Sequence, residues 1–366
     1  MGGVAWRVPR QDGLCSFGLE SGREAVSVGV VSGKLERRSC RFESRRLLLR
    51  SIDRQPHHGG HGEVAVSRSA RVTIGMPVYN CRATVAEAIA SILNQTLQDW
   101  ELIVIDDGSR DGTADVVRRF ADRRICLLVG ETNRGLPARL NEIVRRSKSV
   151  YFARMDGDDI AYPDRLRLQV EFLEQHPEID LVAGAMVVFD KDGEAIGLRR
   201  GPQKHEQIRA RPVSGFPMAH PTWLGRTNWF RCNPYPEDAV RMEDWALLFQ
   251  AYSQSRFANL QEVVLGYREA LLSLPKLALA RWHQTRFLFR CARTAREYVS
   301  AVAELGRQSA KLAVEALALG TGLNYRMLRH RAPPITRTEV DEWRKVRQAV
   351  RDAALQYTEE RESVPA

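Results

Sequence analysis

Three short acidic segments contain the side chains of this chain that are best suited to chemistry. Asp106-Asp107-Gly108-Ser109 and Asp156-Gly157-Asp158-Asp159 each follow a short apolar run, and Glu243-Asp244-Trp245 precedes one. Carboxylate oxygens separated by a small residue are the ligands that Mg²⁺ or Mn²⁺ prefers, and such an ion also contacts phosphates. An acidic pair at a helix start commonly does no more than complement the helix dipole. Metal binding, proton transfer and helix capping are therefore all compatible with these segments.

The apolar segments around these carboxylates alternate between strand-like and helix-like patterns from residue 71 onward. The predicted strands are 72–76, 102–105, 125–129, 150–155 and 181–189, and the predicted helices are 85–97, 112–122, 136–147 and 163–175. Thr84 and Glu87 have the spacing of a capping box at the first helix. This alternation predicts a parallel sheet covered by helices on both faces, with ligands bound at the carboxyl ends of its strands. Two of the acidic segments lie at such ends.

Several classes of protein are disfavoured by what the sequence lacks. No GxGxxG follows the first strand and no GxxxxGK[ST] occurs, which argues against a dinucleotide-binding Rossmann enzyme and a P-loop ATPase. The six cysteines form no CxxC pair, which argues against a zinc site and favours a reducing compartment. No apolar run reaches the ~18–20 residues of a membrane span, and the first ten residues are not followed by a signal-peptide core. We therefore expect a cytoplasmic protein.

The net charge of +10 is concentrated in the two flanks of the chain. Residues 1–70 carry 12 Lys or Arg against 7 Asp or Glu, and residues 271–331 carry 11 against 3, so the remainder is net acidic. Because residues 1–70 are rich in Gly, Ser and Arg without a sustained period, we predict a disordered basic extension. Residues 271–366 are predicted to be a basic helical region, which either contacts a membrane surface or covers the central domain. Its last helix, near 337–360, is expected to be peripheral.

A series of segments within residues 71–270 resembles the motifs of family 2 glycosyltransferases. In order they are VTIGMPVYN, ELIVIDDGSRDGT, NRGLPARLN, MDGDDIAYPDRL, FPMAHPTWLGR, RMEDWALLFQAY and VVLGYR. The resemblance implies an α/β domain with the GT-A fold, in which a Rossmann-like, mixed and mostly parallel sheet carries helices on both faces. It also implies a nucleotide-sugar donor, a divalent metal (Mg²⁺ or Mn²⁺) and inversion at the anomeric carbon.

The resemblance further implies roles for individual residues. The nucleotide-sugar site would consist of Pro77, Tyr79, Asn80, Asp106, Asp107, Arg139 and Asp156. In this site Tyr79 packs on the base, Asp107 accepts a hydrogen bond from it, and Asp156 holds the ribose. Arg139 pairs with the nucleotide, the alternative being an arginine on a helix surface. Asp158 binds the metal, and Asp244 is the base that removes the proton of the acceptor hydroxyl.

Four further residues near the motifs keep two interpretations each. Asp159 either lies in the acceptor region or is the N-cap of the following turn. Glu243 either supports Asp244 from close by or caps its helix. His220 contacts the diphosphate or acceptor, or is a hydrogen-bonded core histidine. Trp223 either forms the floor of a sugar-binding site or packs in the core.

Taken together, the resemblance implies a metal-dependent inverting glycosyltransferase. It would move one sugar from a UDP- or dTDP-linked donor to a hydroxyl of a cell-surface glycan or lipid-linked acceptor, at the inner face of the plasma membrane. The C-terminal helices would contact that membrane or cover the central domain, and no nucleic acid is expected as a partner. Arg281-Trp282 resembles the end of the Gln-x-x-Arg-Trp motif of processive synthases, but Ala278 stands at the Gln position, which disfavours that class. The alternative is a non-catalytic protein that binds a nucleotide-sugar on the same fold.

Overall fold

The structure, a computed structural model, describes residues 70–239, 241–269, 274–292, 294–321 and 334–359. The strands in these ranges are β1 (Val72–Val78), β2 (Trp100–Asp106), β3 (Ile125–Val129), β4 (Tyr151–Arg154), β5 (Ile160–Ala161), β6 (Leu181–Phe189), β7 (Ala195–Arg199), β8 (Leu224–Arg226) and β9 (Phe257–Arg268). They form one sheet in the order β3-β2-β1-β4-β8-β6-β9-β5, with β7 paired to β6. The extension predicted for residues 1–70 lies, apart from its last residue, outside the described residues.

Helices connect these strands and continue beyond them. They are α1 (Val85–Leu93), α2 (Thr113–Arg118), α3 (Leu136–Arg146), α4 (Arg165–Gln175), α5 (His205–Ile208), α6 (Thr227–Cys232), α7 (Glu243–Ala251), α8 (Leu274–Cys291), α9 (Ala295–Gly320) and α10 (Arg337–Glu359). Every strand and helix predicted up to residue 189 is present, with ends that differ by a few residues. β1 continues through Pro77 because its pairing with β4 ends at Gly75, so the missing N–H of the proline breaks no ladder on that side.

The first half of the sheet is parallel, and its strands β1, β2 and β4 are buried on both faces, whereas the edge strand β3 is partly exposed. β1 lies between β2 and β4, and β3 extends the sheet beyond β2. Along β2, Leu102 and Val104 pack in a cluster with α1, α2 and α4, whereas Ile103 and Ile105 pack in another cluster with α3, α6 and α7. This two-sided burial is what continuous apolar strands of a parallel sheet require. The predicted α/β fold is confirmed.

The second half of the sheet is mixed. β8 is antiparallel to both β4 and β6, and so it joins the parallel half to the long parallel pair of β6 and β9. β5 and β7 pair antiparallel with β9 and β6. This topology brings Arg268, at the end of β9 and opposite Phe189, to the turn that follows β4.

The last helix, α10, packs against the sheet, so the expectation of a peripheral helix is wrong. Trp343 is fully buried, with ring centroids 4.6 Å from Phe189 and 6.2 Å from Tyr162. Its indole N–H donates to the carbonyl of Gly193 at 2.9 Å. One apolar stripe on this otherwise charged helix is sufficient to attach it. None of the helices in the described ranges is both long and apolar enough to cross a membrane.

Candidate active site

Asp107, at the end of β2, is held by three hydrogen bonds. Its Oδ1 accepts from the backbone N–H of Arg134 at 2.9 Å and from Nε of Arg139 at 2.6 Å, and its Oδ2 accepts from the N–H of Gly135 at 2.8 Å. Its own N–H donates to the carbonyl of Val78 at 2.8 Å, which joins the ends of β1 and β2. A carboxylate offers about four acceptor positions. The three bonds from Arg134, Gly135 and Arg139 thus occupy three of them.

Arg139 is 6% exposed, so the alternative of an arginine on a helix surface is wrong. Besides Asp107, it donates from Nη1 to Glu142 at 3.0 Å and from Nη2 to the carbonyl of Thr132 at 3.0 Å. Gly130 provides the space, because a Cβ at that position would overlap the guanidinium group. All three nitrogens of Arg139 thus bind protein groups, and its visible role is to fix the orientation of Asp107.

The end of β1 and the turn after it carry three of the other residues predicted to contact the nucleotide. Tyr79 is 49% exposed, whereas Pro77 is buried within β1. Asn80 has a positive φ of 53°, a conformation that asparagine tolerates. Its N–H donates to Oγ of Ser109 at 2.8 Å, and the N–H of Ser109 donates to Asp106 at 2.9 Å. The two turns are therefore bonded to each other, with the ring of Tyr79 accessible and Asp106 buried in its own turn.

Asp156, Asp158 and Asp159 come together at the exit of β4. One carboxylate oxygen from each lies within 4.8 Å of those of the other two. The turn packs closely on β1, because a Cβ at Gly157 would lie only 2.7 Å from Cγ1 of Val78. The glycine is therefore what allows three aspartates to surround one point near the end of the sheet.

The electrostatics of this aspartate cluster fit a divalent cation. Burial and then the charge of Asp156 raise the pKa of Asp158, and the same two causes raise the pKa of Asp159 well above its usual range. Oδ2 of Asp159 is buried and accepts no hydrogen bond from the described residues. Clustered carboxylates are stabilised by a cation or a shared proton, and all-oxygen ligands are those of Mg²⁺ or Mn²⁺. The sequence assigned the metal to Asp158, and the structure places all three aspartates around the same point.

Two buried arginines beside the cluster were missed by the sequence analysis. Arg154, the last residue of β4, is 4% exposed and lies with Nη2 2.5 Å from Oδ1 of Asp156. Its Nε and Nη1 are buried and have no hydrogen-bond partner in the described part of the chain. Arg165 on α4 is also buried and donates to the carbonyls of Arg154 at 2.6 Å and Pro221 at 3.0 Å. The sequence signal that could have revealed Arg154 is a charged residue within the apolar run of β4.

Arg268 connects the aspartate cluster to β9 and α1. Its N–H donates to Asp159 at 3.0 Å, its Nε to the carbonyl of Asp158 at 2.9 Å, and its Nη2 to Glu87 at 2.9 Å. Asp159 therefore binds a distant strand, and the interpretation as an N-cap of the next turn is wrong. The capping box is wrong too, because Thr84 makes no side-chain cap hydrogen bond and Glu87 pairs with Arg268. Both errors arise because the true partner is far along the chain.

Glu243 and Asp244 form the first turn of α7 and are half-buried. Burial and then the charge of Asp244 raise the pKa of Glu243 to about 7. Burial also raises the pKa of Asp244, and the charge of Arg154 acts on both groups in the opposite direction. A carboxylate with a raised pKa is a better proton acceptor near neutral pH. Arg154 thus links this acidic pair electrostatically to Asp156 in the aspartate cluster.

His220 and Trp223 lie in the core between these two groups of acids. Nε2 of His220 is 3.0 Å from the hydroxyl of Tyr235, and its ring packs edge-to-face on Trp223 with centroids 4.6 Å apart. Burial and then the charge of Arg154 lower the pKa of His220 well below its usual range, so the imidazole is neutral. Trp223 is fully buried. The geometry therefore favours the core interpretation of both residues.

A cavity of about 290 Å³ opens beside Asp244. Phe216 and Trp245 line it from the domain that contains the sheet. Arg281 on α8 and Gln308 on α9 line it from the C-terminal region. Only the tertiary structure brings these helices to the acidic pair.

Comparisons with known proteins bear on the family and the fold of this chain. The family described as Glycosyl transferase family 2 matches residues 73–233. EpsE of Bacillus subtilis, named as a glycosyltransferase, is 38% identical over 207 residues, which cover 54% of this chain and 73% of EpsE. WfgD of Escherichia coli, a UDP-Glc:alpha-D-GlcNAc-diphosphoundecaprenol beta-1,3-glucosyltransferase, is 33% identical over 133 residues, which cover 36% of this chain and 52% of WfgD.

Among solved structures, Staphylococcus aureus TarS shares the fold. It aligns with a TM-score of 0.50 at 18% identity, over 78% of this chain and 54% of TarS. At that identity the likeness bears on the fold alone, and it agrees with the GT-A architecture implied by the sequence. The similarity to EpsE extends over most of that relative's length. The chain therefore belongs to family 2 of the glycosyltransferases.

Proposed function

We propose that this glycosyltransferase is metal-dependent and inverting, and that it transfers one sugar from a UDP- or dTDP-linked donor to a hydroxyl of a lipid-linked or cell-surface glycan. The observation that carries the proposal is a buried arginine, Arg154, that pairs with one acidic group and whose charge also acts on the other. Asp156 of the aspartate cluster forms an ion pair with Arg154, and the charge of Arg154 also acts on Asp244. A metal-binding group and a candidate base are thereby coupled in one site.

The donor nucleotide would bind at the ends of β1 and β2. Asp107 keeps one acceptor position, and a base with an N–H donor, as in uracil or thymine, would use it. The wrong base would leave this buried acceptor unpaired, which is the strongest source of discrimination in such a site. The half-exposed ring of Tyr79 offers a stacking surface beside it.

The diphosphate would lie next to the aspartate cluster. Asp158, together with Asp156 and Asp159, would hold Mg²⁺ or Mn²⁺, which would supply positive charge beside the leaving diphosphate. Arg154 adds a fixed positive charge at the same place, because two of its nitrogens are free to donate. The resemblance also assigns Asp156 to the ribose hydroxyls.

Asp244 would act as the base of a direct displacement. The acceptor oxygen forms a bond to the anomeric carbon, the bond from that carbon to the diphosphate breaks, and the proton of the acceptor hydroxyl passes to the Asp244 carboxylate. Attack from the face opposite the leaving group inverts the configuration. The raised pKa of Asp244 makes its carboxylate a stronger base than an exposed aspartate.

The acceptor is proposed to be lipid-linked, with contact to the inner face of a membrane through α8. WfgD, which shares 133 aligned residues, is named for a diphosphoundecaprenol acceptor. On α8, Leu279 and Trp282 are 42% and 63% exposed, and Lys276 is exposed beside them. Apolar and cationic side chains together suit an anionic lipid surface. Trp282→Ser should reduce sedimentation with phosphatidylglycerol vesicles, and binding to neutral vesicles that is just as strong would contradict this assignment.

The Asp244→Asn variant tests the catalytic proposal. We expect transfer to fall about 10³-fold, because general base catalysis contributes roughly 10²–10⁴ in rate. Binding of UDP with Mn²⁺, followed by the shift in Tm, should remain that of the wild type. Glu262→Gln, an exposed acid on β9, is the matched control and should transfer normally.

Two outcomes would contradict the proposal. Near-normal transfer by Asp244→Asn would remove Asp244 as the base. A wild-type protein that binds nucleotide-sugars but neither hydrolyses nor transfers them would support the non-catalytic alternative.

A further inference from the structure

The cavity beside Asp244 is separate from the residues proposed to bind the donor. Asp107 and Asp156 do not contribute to its lining, whereas Asp244 does. Its volume of about 290 Å³ is at the lower end of the range for small-molecule sites. In a direct displacement the acceptor approaches from the side of the base. The cavity therefore has the position and the size for a single sugar ring of the acceptor.

This cavity is lined by the aromatic ring of Trp245 and by the guanidinium group of Arg281. Trp245 is 8% exposed, stacks on Phe249 with ring centroids 4.8 Å apart, and donates its indole N–H to the carbonyl of Pro212 at 2.9 Å, so it presents the cavity with only the remaining part of its ring. Arg281 is paired with Glu315 at 2.7 Å, but its Nη1 is buried and has no hydrogen-bond partner in the described ranges. Aromatic faces and N–H donors are the two groups that recognise a pyranose ring with its hydroxyls.

A second, smaller cavity of about 170 Å³ adjoins the first, since Met242 lines both. Its lining is net positive, because it contains two arginines, Arg286 and Arg290, against one carboxylate, Asp238. Arg290 pairs with Asp238 at 2.9 Å, which leaves the charge of Arg286 for a ligand. A phosphate group fits such a place, because its oxygens accept charge-assisted hydrogen bonds from arginine.

We propose that the two adjoining cavities form the acceptor site, and that the acceptor is a sugar with a phosphate or diphosphate on its anomeric carbon. The sugar ring lies against Trp245 and Arg281, and the phosphate lies at Arg286. The α8 and α9 helices thereby determine which acceptor is used. This inference rests on the proposed function, because it takes Asp244 as the base.

Kinetics with two acceptors that share the same sugar test this site. One acceptor is a short-chain lipid diphosphate-linked sugar, and the other is the neutral octyl glycoside of that sugar. Arg286→Ala should raise the KM for the diphosphate acceptor about tenfold and leave the KM for the neutral acceptor within about twofold, as expected for one lost charge-assisted hydrogen bond. Arg281→Lys, which keeps the charge beside Glu315 but removes Nη1, should raise both KM values about tenfold.

The controls separate this inference from the proposed function. Lys311→Ala removes an exposed cation of α9 outside both cavities and should leave both KM values unchanged. UDP binding with Mn²⁺ should be the same in all variants. The inference is overturned if Arg286→Ala behaves as Lys311→Ala, or if Arg281→Lys weakens UDP binding as much as acceptor use. A wild-type protein that binds no nucleotide contradicts the proposed function itself, and the acceptor site with it.

Discussion

The edge of the sheet where the donor is proposed to bind and the region around α7 are built in different ways. At the donor edge, the carboxylates follow strands directly and are fixed by backbone groups of neighbouring loops, as Asp107 is by the N–H groups of Arg134 and Gly135. Around α7, Asp244 lies in the first turn of a helix. The cavity beside it is lined by residues of α8 and α9, which come later in the chain. The difference suggests that donor recognition belongs to the common fold, whereas acceptor recognition belongs to the C-terminal region of this chain.

Replacing Arg154, the residue that links the two regions, should have the largest effect. Arg154→Met leaves Asp156 and its neighbours without their buried cation, and we expect the free energy of unfolding to fall by about 3–5 kcal/mol. Because a divalent ion also supplies positive charge, Mn²⁺ should restore part of this stability. Urea unfolding with and without Mn²⁺ measures both effects. Arg167→Met, which removes an exposed ion pair, is the control and should change little.

The donor edge alone is tested by Asp158→Asn. We expect transfer to fall about a hundredfold or more, since metal coordination contributes several kcal/mol to the stabilisation of the leaving group. Mn²⁺-dependent UDP binding should weaken together with transfer, and a chelator should reproduce both losses in the wild type. Asp164→Asn, an aspartate on the surface that pairs with Arg167, should behave as the wild type. Full transfer by Asp158→Asn in the presence of chelator would contradict metal dependence.

The region around α7 is tested by the pH dependence of Glu243. Its pKa in the folded protein is about 7 against a usual 4.5, so the folded state retains a proton that the unfolded state has lost between these values. Stability should therefore fall as the pH rises from about 4.5 to about 7. Glu243→Gln lacks this fall and should be more stable than the wild type by about 2–3 kcal/mol at alkaline pH, with no difference under acidic conditions.

Unfolding at pH 5 and at pH 8 measures that difference, and transfer assays complete the test. The acidic limb of the pH profile should stay that of the wild type in Glu243→Gln, because Glu243 is still protonated and uncharged where Asp244 ionises. UDP binding should not change, since Glu243 lies outside the donor edge. A variant with the stability profile of the wild type would show that Glu243 carries no raised pKa.

Much of the fold and part of the site could be predicted because their signals are local. The alternation of apolar strands and amphipathic helices up to residue 189 determined the sheet, and carboxylates at strand ends determined the acidic edge. The family followed from motifs in the right order, and the similarity to EpsE confirmed it. The predictions that failed were the capping box at Thr84, the N-cap at Asp159 and the peripheral last helix.

The sequence by itself determined which residues are acidic, where the strands end, and the family to which they belong. The tertiary structure decided which charges meet. Arg268 reaches Asp159 across 109 positions, and Trp343 reaches Gly193 across 150. The sequence does not distinguish a buried arginine from an exposed one. Because Arg154 is buried and removed from water, its charge acts strongly on the acids around it. The cavities beside α8 likewise exist only because helices distant in sequence pack on one side of Asp244.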